Sequence, residues 1–193
     1  MLKLNIGAGD NPLPGWHNVD LHPQSPDVER LDATRPFPYV DETFDRIFTE
    51  HMIEHVLYAA GRVMLAECYR VLKPGGRLRV STPDLEFLLA LMSVGNPLHD
   101  NYVAWACDNF SPGQPVLPET VMNNFVRAWG HQHIYTRYVL SAELDNLGFK
   151  NQNWLKIGES DDPEFVGLEN SIRMPEGFLQ LETMTVEAEK PIS

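Results

Sequence analysis

The stretch His51-Met52-Ile53-Glu54-His55 puts two imidazoles and a carboxylate within five residues. On a helix, histidines at i and i+4 share one face and can chelate zinc, with the glutamate as general base. A zinc-dependent hydrolase is therefore one chemistry open to this chain. His131 and His133 form a second close pair. An imidazole titrates near neutral pH, so these histidines also suit taking a proton from a hydroxyl or an amine, His51 or His55 first and His131 and His133 next. A third set is spread along the first fifty residues. Gly7 and Gly9, in Leu4-Asn5-Ile6-Gly7-Ala8-Gly9-Asp10, let a ligand approach the backbone closely. Asp20 ends a strand-like stretch, where a carboxylate can accept both hydroxyls of a ribose. Asp32-Ala33 ends the next, where a carboxylate can meet the exocyclic amine of an adenine.

Alternating elements must position these groups. Leu2, Leu4 and Ile6 alternate with Lys3 and Asn5, a strand running into Gly7. Further strands are expected over His17–Leu21, Val28–Leu31 and Arg46–Thr49. Gly61, Met64, Leu65, Cys68, Val71 and Leu72 recur at helical spacing, and the helix ends at Lys73-Pro74-Gly75-Gly76, a tight turn into the strand of Leu78 and Val80. Pro83-Asp84 opens another helix. Glycines and prolines from Gly95 to Pro118 break any long periodicity, so residues from about 95 to 130 are expected to form an irregular insertion or lid, with a short helix near Tyr102 to Cys107. Thr136 is a plausible cap for a helix through Leu140, Leu144 and Leu147 that stops at Gly148. Strands are expected at 151–157 and 179–188. Strand, crossover, strand, repeated, argues for a parallel sheet covered by helices, with ligands beyond the carboxyl ends of the strands. The link from Gly9 to His17, with Pro12, Pro14 and Gly15, is too short for a full first crossover helix.

Four stretches together resemble the class I S-adenosylmethionine-dependent methyltransferases, in the branch that methylates small molecules. They are Leu4-Asn5-Ile6-Gly7-Ala8-Gly9, Gly15-Trp16-His17-Asn18-Val19-Asp20, Asp41-Glu42-Thr43-Phe44-Asp45, and Leu72-Lys73-Pro74-Gly75-Gly76-Arg77-Leu78. The resemblance implies an α/β fold: a Rossmann-like, mostly parallel seven-stranded sheet with helices on both faces and a shortened or absent first crossover helix. It implies S-adenosyl-L-methionine as cofactor. Asn5, at a usually acidic position, and Gly7, Ala8 and Gly9 would lie along the methionine and ribose portion. Asp20 would bind the ribose, Asp32 and Ala33 the adenine, and Glu50 the methionine moiety.

Composition mostly excludes. The 193 residues are 43% hydrophobic and 22% charged, as expected of a globular chain forming a single domain, residues 1–193. The 27 acidic residues outnumber 15 basic ones, for a net charge of −12, which disfavours nucleic acid and anionic membranes as partners. Cys68 and Cys107 have no metal or redox spacing, and both are expected to be reduced thiols. The start, Met1 to Ile6, is too short for a signal peptide, and a cytoplasmic protein is expected. The expected function is methyl transfer to a small-molecule or glycan acceptor by in-line displacement, with no metal assigned. Two alternatives stay open: the zinc hydrolase on His51, Glu54 and His55, and a non-catalytic module that binds the cofactor.

Overall fold

The computed structural model describes residues 1–93 and 95–192. Seven strands form one sheet: β1 (Lys3–Ile6), β2 (His17–Asp20), β3 (Val28–Arg30), β4 (Phe44–Glu50), β5 (Leu72–Pro83), β6 (Lys150–Leu155) and β7 (Thr183–Glu189). Their order is β3-β2-β1-β4-β5-β7-β6. The first five run parallel. β7 alone runs antiparallel to its neighbours β5 and β6. This is the Rossmann-like sheet that the resemblance implies. The chain order reverses beside β1, so the carboxyl ends of β1 and β4 open a crevice there.

Alternation along the strands sorts residues between two unlike faces. Leu4, Ile6, Val19, Ile47, Leu78, Val80, Met184, Val186 and Ala188 join the main core. Two helices close that face, α1 (Tyr58–Val71) and α5 (Arg137–Leu147). α1 buries Gly61, Met64, Leu65, Cys68 and Val71, the stripe read from the sequence. The Thr136 side chain accepts from the Val139 amide and Gly148 ends α5 at a φ of +100°, as both residue types favour. Between α1 and the rest of β5, Lys73 to Gly76 bulge from the ladder, since Phe44 pairs with Leu72 and Arg46 already with Arg77.

The opposite face is buried yet polar. Phe48 meets Trp16 and Phe165, but its neighbours Asn5, Asn18, Arg79, Ser81, Thr185 and Glu187 are also buried. Arg79 donates from Nε to Glu169 Oε1 at 2.7 Å and from Nη1 to Glu187 Oε1 at 2.5 Å and the Glu159 carbonyl at 2.9 Å. Ser81 Oγ and the Gly158 amide donate to Glu169 as well. Burial pushes the Glu169 carboxyl up, but Arg79 and Ser81 outweigh it and hold it below the usual carboxylate range. The first crossover is helix-free, as expected. Asn18 holds it instead, accepting from the Leu13 amide at 2.8 Å and donating to the Leu13 and Trp16 carbonyls at 3.0 and 3.1 Å.

The stretch expected to be irregular is largely helical. α2 (Leu85–Ala90) is followed by α3 (Pro97–Phe110) and α4 (Pro118–Phe125). Pro97 and Pro118 lie in the first turns of their helices, where a missing N–H costs nothing, so they start helices rather than break them. These helices and α6 (Phe178–Glu182) share a second core around Phe87, Leu88, Tyr102, Val103, Phe125 and Phe178. Cys68 and Cys107 are buried and unbridged. Among the described residues, no helix is long and apolar enough to cross a membrane.

Candidate active site

The ends of β1, β2 and β4 and the loop after β3 enclose a cavity of about 390 Å³. Gly7 and Gly9 line it from the first loop, Asp20, Leu21 and His22 from the second, Leu31 and Ala33 from the third, and His51, Met52, His55 and Val56 from the fourth. The two glycines serve different ends. A Cβ on Gly7 would stand 2.5 Å from Met52 Cγ, so this glycine admits the loop after β4. A Cβ on Gly9 would enter open space, at a φ of +54° that disfavours any side chain. Asp20 Oδ2 accepts from the Gly9 amide at 3.0 Å and Oδ1 from the His22 amide at 2.8 Å. The carboxylate is thus fixed by backbone groups, and each oxygen retains accepting capacity.

His51 and His55 form a wall shared with a second cavity of about 340 Å³. Tyr102, Trp105, Phe110, Phe125 and Trp129 make it an aromatic chamber, and Glu54, His131, Arg173 and Glu182 supply its polar groups. His51 and Trp129 have φ values of +46° and +56°. Side-chain-bearing residues rarely hold such angles, which tend to gather where a site must be built to order. The His51 ring is held at Nε2 by Thr183 Oγ1 at 2.9 Å, and its Nδ1 stands 3.2 Å from Glu54 Oε1. Glu54 is fully buried. Its Oε2 accepts from Thr82 Oγ1 at 3.0 Å, while Oε1 makes no hydrogen bond. Burial pushes this carboxyl up, yet the neighbouring His51 prevails and holds it below the ordinary value. The Glu54 carbonyl accepts from the Gln132 and His133 amides, which pins the 130–133 loop over the chamber. His131 Nδ1–H donates to the Phe125 carbonyl at 2.7 Å, leaving Nε2 bare in the neutral ring. Burial pushes the His131 and His133 imidazoles down, toward the neutral form. Glu182, beside the Tyr102 hydroxyl, is pushed up by burial.

Residues 16–80 match the family described as a methyltransferase domain. The match covers about a third of the chain, from the first crossover into β5. No curated protein matches it in sequence. The chain is similar in fold to several solved structures. One, a SAM-dependent methyltransferase from Archaeoglobus fulgidus, is 16% identical, with a TM-score of 0.57 over 97% of this chain and 85% of that one. Another, a possible histamine N-methyltransferase from Thermotoga maritima, is 18% identical, with a TM-score of 0.56 over 98% and 82%. Phosphoethanolamine N-methyltransferase 2 of Haemonchus contortus, in complex with S-adenosyl-L-methionine, is 15% identical, with a TM-score of 0.57 over 99% of this chain and 49% of that one.

The first cavity fits the S-adenosyl-L-methionine that the sequence resemblance implies. The space above Gly9 admits a ligand, Asp20 offers acceptors for a diol, and Ile6, Val19, Leu31 and Ala33 give apolar surface for a planar base. Other residues singled out in the sequence lie outside the cavity lining. The Asn5 side chain donates to Asn18 Oδ1 at 2.9 Å beneath the first crossover. Ala8 is buried, its amide bonded to the Val19 carbonyl. Asp32 accepts from the Thr34 hydroxyl and amide at 2.6 and 3.0 Å, and these bonds hold its carboxyl below the usual range. Glu50 accepts from the Asn170 amide, lies 3.4 Å from Arg173, and is pushed up by burial. His133 packs on Tyr58 and Tyr135, away from the chamber.

The zinc-hydrolase alternative is corrected by the backbone. Only Ile53–His55 form a single 3-10 turn, so His51 and His55 do not share a helical face. Arg173 and Glu182, which line the chamber, and Thr183, which holds the His51 ring, were missed because they arrive from the far carboxyl-terminal third. Phe110 and Phe125 were hidden in the stretch expected to be irregular.

Proposed function

We propose that the chain is an S-adenosylmethionine-dependent methyltransferase that acts on a small-molecule or glycan acceptor seated in the aromatic chamber. The observation that carries this reading is the shared wall: His51 and His55 line both cavities, so an acceptor in one adjoins a methyl donor in the other. Both volumes fall within the range of small-ligand sites. S-adenosyl-L-methionine supplies, when bound, a sulfonium methyl open to in-line displacement. The chain's own residues bind, align and exclude water. Gly7, Ala8 and Gly9 shape the backbone beneath the cofactor, Asp20 holds its ribose, and Ala33 with the Asp32 turn flanks its adenine. Asn5 and Glu50 act at one remove, through Asn18 and the Asn170–Arg173 segment. The proton of a hydroxyl or amine acceptor leaves at the imidazole wall of His51, His55 and His131, with His133 outside it. Residues 95–130 cover the chamber as a lid within a single cytoplasmic domain that binds neither nucleic acid nor membrane.

Methyl-labelled cofactor offered with a panel of hydroxyl- and amine-bearing small molecules tests the reading. The expected result is acceptor-dependent formation of S-adenosylhomocysteine. Trp129→Ala should lower kcat/KM for the acceptor by about 10-fold, the scale of one lost aromatic contact, with cofactor KM unchanged. Tight cofactor binding without transfer to any acceptor would point instead to the non-catalytic module.

A further inference from the structure

Three groups of different sequence origin converge on the chamber. Glu54 and His55 come from the turn after β4, and His131 from the loop that follows α4. A Glu54 carboxylate oxygen and a ring nitrogen of each histidine lie within 4.8 Å of one another. His55 Nε2 stands 3.9 Å from Glu54 Oε1. We propose that Glu54, His55 and His131 bind a divalent cation of the zinc type, with an open coordination position facing the aromatic chamber.

Three independent features support the site. First, Glu54 lines the chamber, and its fully buried Oε1 lies 3.2 Å from His51 Nδ1 without a well-aligned hydrogen bond. A buried polar atom left so is costly unless something pairs with it. Second, the His131 Nδ1–H is spent on the Phe125 carbonyl. Metal-ligating histidines commonly make this outer bond, which fixes the tautomer and points the bare nitrogen at the ion. Third, two imidazoles and a carboxylate form a three-ligand donor set that leaves a fourth tetrahedral position open. Donors about 2.1 Å from a tetrahedral ion stand roughly 3.4 Å apart, so the three must draw together slightly. His55, with 38% of its side chain exposed, has the freedom to do so.

This site is not the His51–His55 pair of the hydrolase alternative. His51 is engaged with Thr183 and serves as a neighbour of Glu54, while His131 arrives from another element. It revises the expectation that no metal is held. Its open position lies where the proposed function seats the acceptor, so the cation would hold an acceptor hydroxyl or carbonyl by its oxygen, and with His55 and His131 as ligands the acceptor proton would pass to His51 alone. That role rests on the chamber being the acceptor site, whereas cation binding itself does not.

The test is calorimetric titration of the chelator-treated 193-residue chain with zinc chloride, repeated with cobalt chloride while visible absorption is recorded. One equivalent of zinc and the visible bands of four-coordinate cobalt are expected. His131→Ala and His55→Ala should each weaken zinc binding by at least about 10-fold, the lower bound for disturbing even an outer-shell partner. S-adenosylhomocysteine is titrated into the same samples. His131 is absent from the cofactor cavity lining, so its variant should bind this ligand as the wild type does, which also reports that it is folded. No saturable zinc binding by the wild type would overturn the proposal, as would zinc affinity unchanged from wild type in both variants. Failure of the wild type to bind S-adenosylhomocysteine would contradict the methyltransferase reading separately, leaving the zinc result to stand on its own.

Discussion

Alanine at position 20 is expected to weaken binding of S-adenosylhomocysteine by about 100-fold, or roughly 2.7 kcal/mol. Asp20 lines the cofactor cavity with both carboxylate oxygens already oriented, one by the Gly9 amide and one by the His22 amide. A ribose diol donates two hydrogen bonds to such a group, and bonds to a charged acceptor contribute about 1.5–3 kcal/mol each. Loss of the side chain also frees the Gly9 loop from its anchor. Asp20→Asn retains a carbonyl acceptor and should fall between alanine and wild type. The affinities are read by calorimetry, with far-ultraviolet circular dichroism as a check on folding. Unchanged affinity in Asp20→Ala would remove the ribose from this position.

The largest expected effect on stability comes from Arg79. Its guanidinium is fully buried between Glu169 and Glu187, which are buried as well. Arg79→Met fills the space but leaves both carboxylates without their cation. Breaking a buried pair in this way costs about 3–5 kcal/mol, which lowers Tm by roughly 6–20 °C for a chain of this size. The pH dependence should change sign. In the wild type, Glu169 titrates below its ordinary value, so its contribution is present above the unfolded pKa and is lost as pH falls through the folded one. In the variant, only the Ser81 and Gly158 bonds still oppose burial at Glu169, and its folded pKa rises above the unfolded one. Acid then protonates it with a gain in relative stability, so the gap to wild type narrows between pH 7 and 5. Chemical denaturation across that range measures both effects. A loss under about 1 kcal/mol, or a gap that widens in acid, would show that the cluster is not held by its charges.

Much of the scaffold was legible because short-range patterns specify it. The alternation of Leu2, Leu4 and Ile6, the stripe from Gly61 to Val71, and the capping residues Thr136 and Gly148 each act within a few residues of where they are read. The helices α3 and α4 were concealed by the prolines that start them. Asn96, whose side chain accepts from the Leu98 amide just before Pro97, is the signal that would have revealed the first. His51-Met52-Ile53-Glu54-His55 misled in the opposite sense. Its spacing fits a helix, but the strand end, a positive φ at His51 and the Glu54 bond to Thr82 set a tighter path. The site divides along the same line. Gly7, Gly9 and Asp20 follow strands and were visible. The chamber joins residues from the turn after β4 and from α3, α4 and α6, brought together by tertiary packing that no local pattern records.

The account rests on two adjoining cavities that divide donor from acceptor. A crystal structure of the full chain with S-adenosylhomocysteine tests this most directly. The expected result places the ribose on Asp20, the adenine against Leu31 and Ala33, and the sulfur at the His51–His55 wall with an open path into the aromatic chamber. A ligand bound elsewhere, or a sulfur sealed from the chamber, would contradict it.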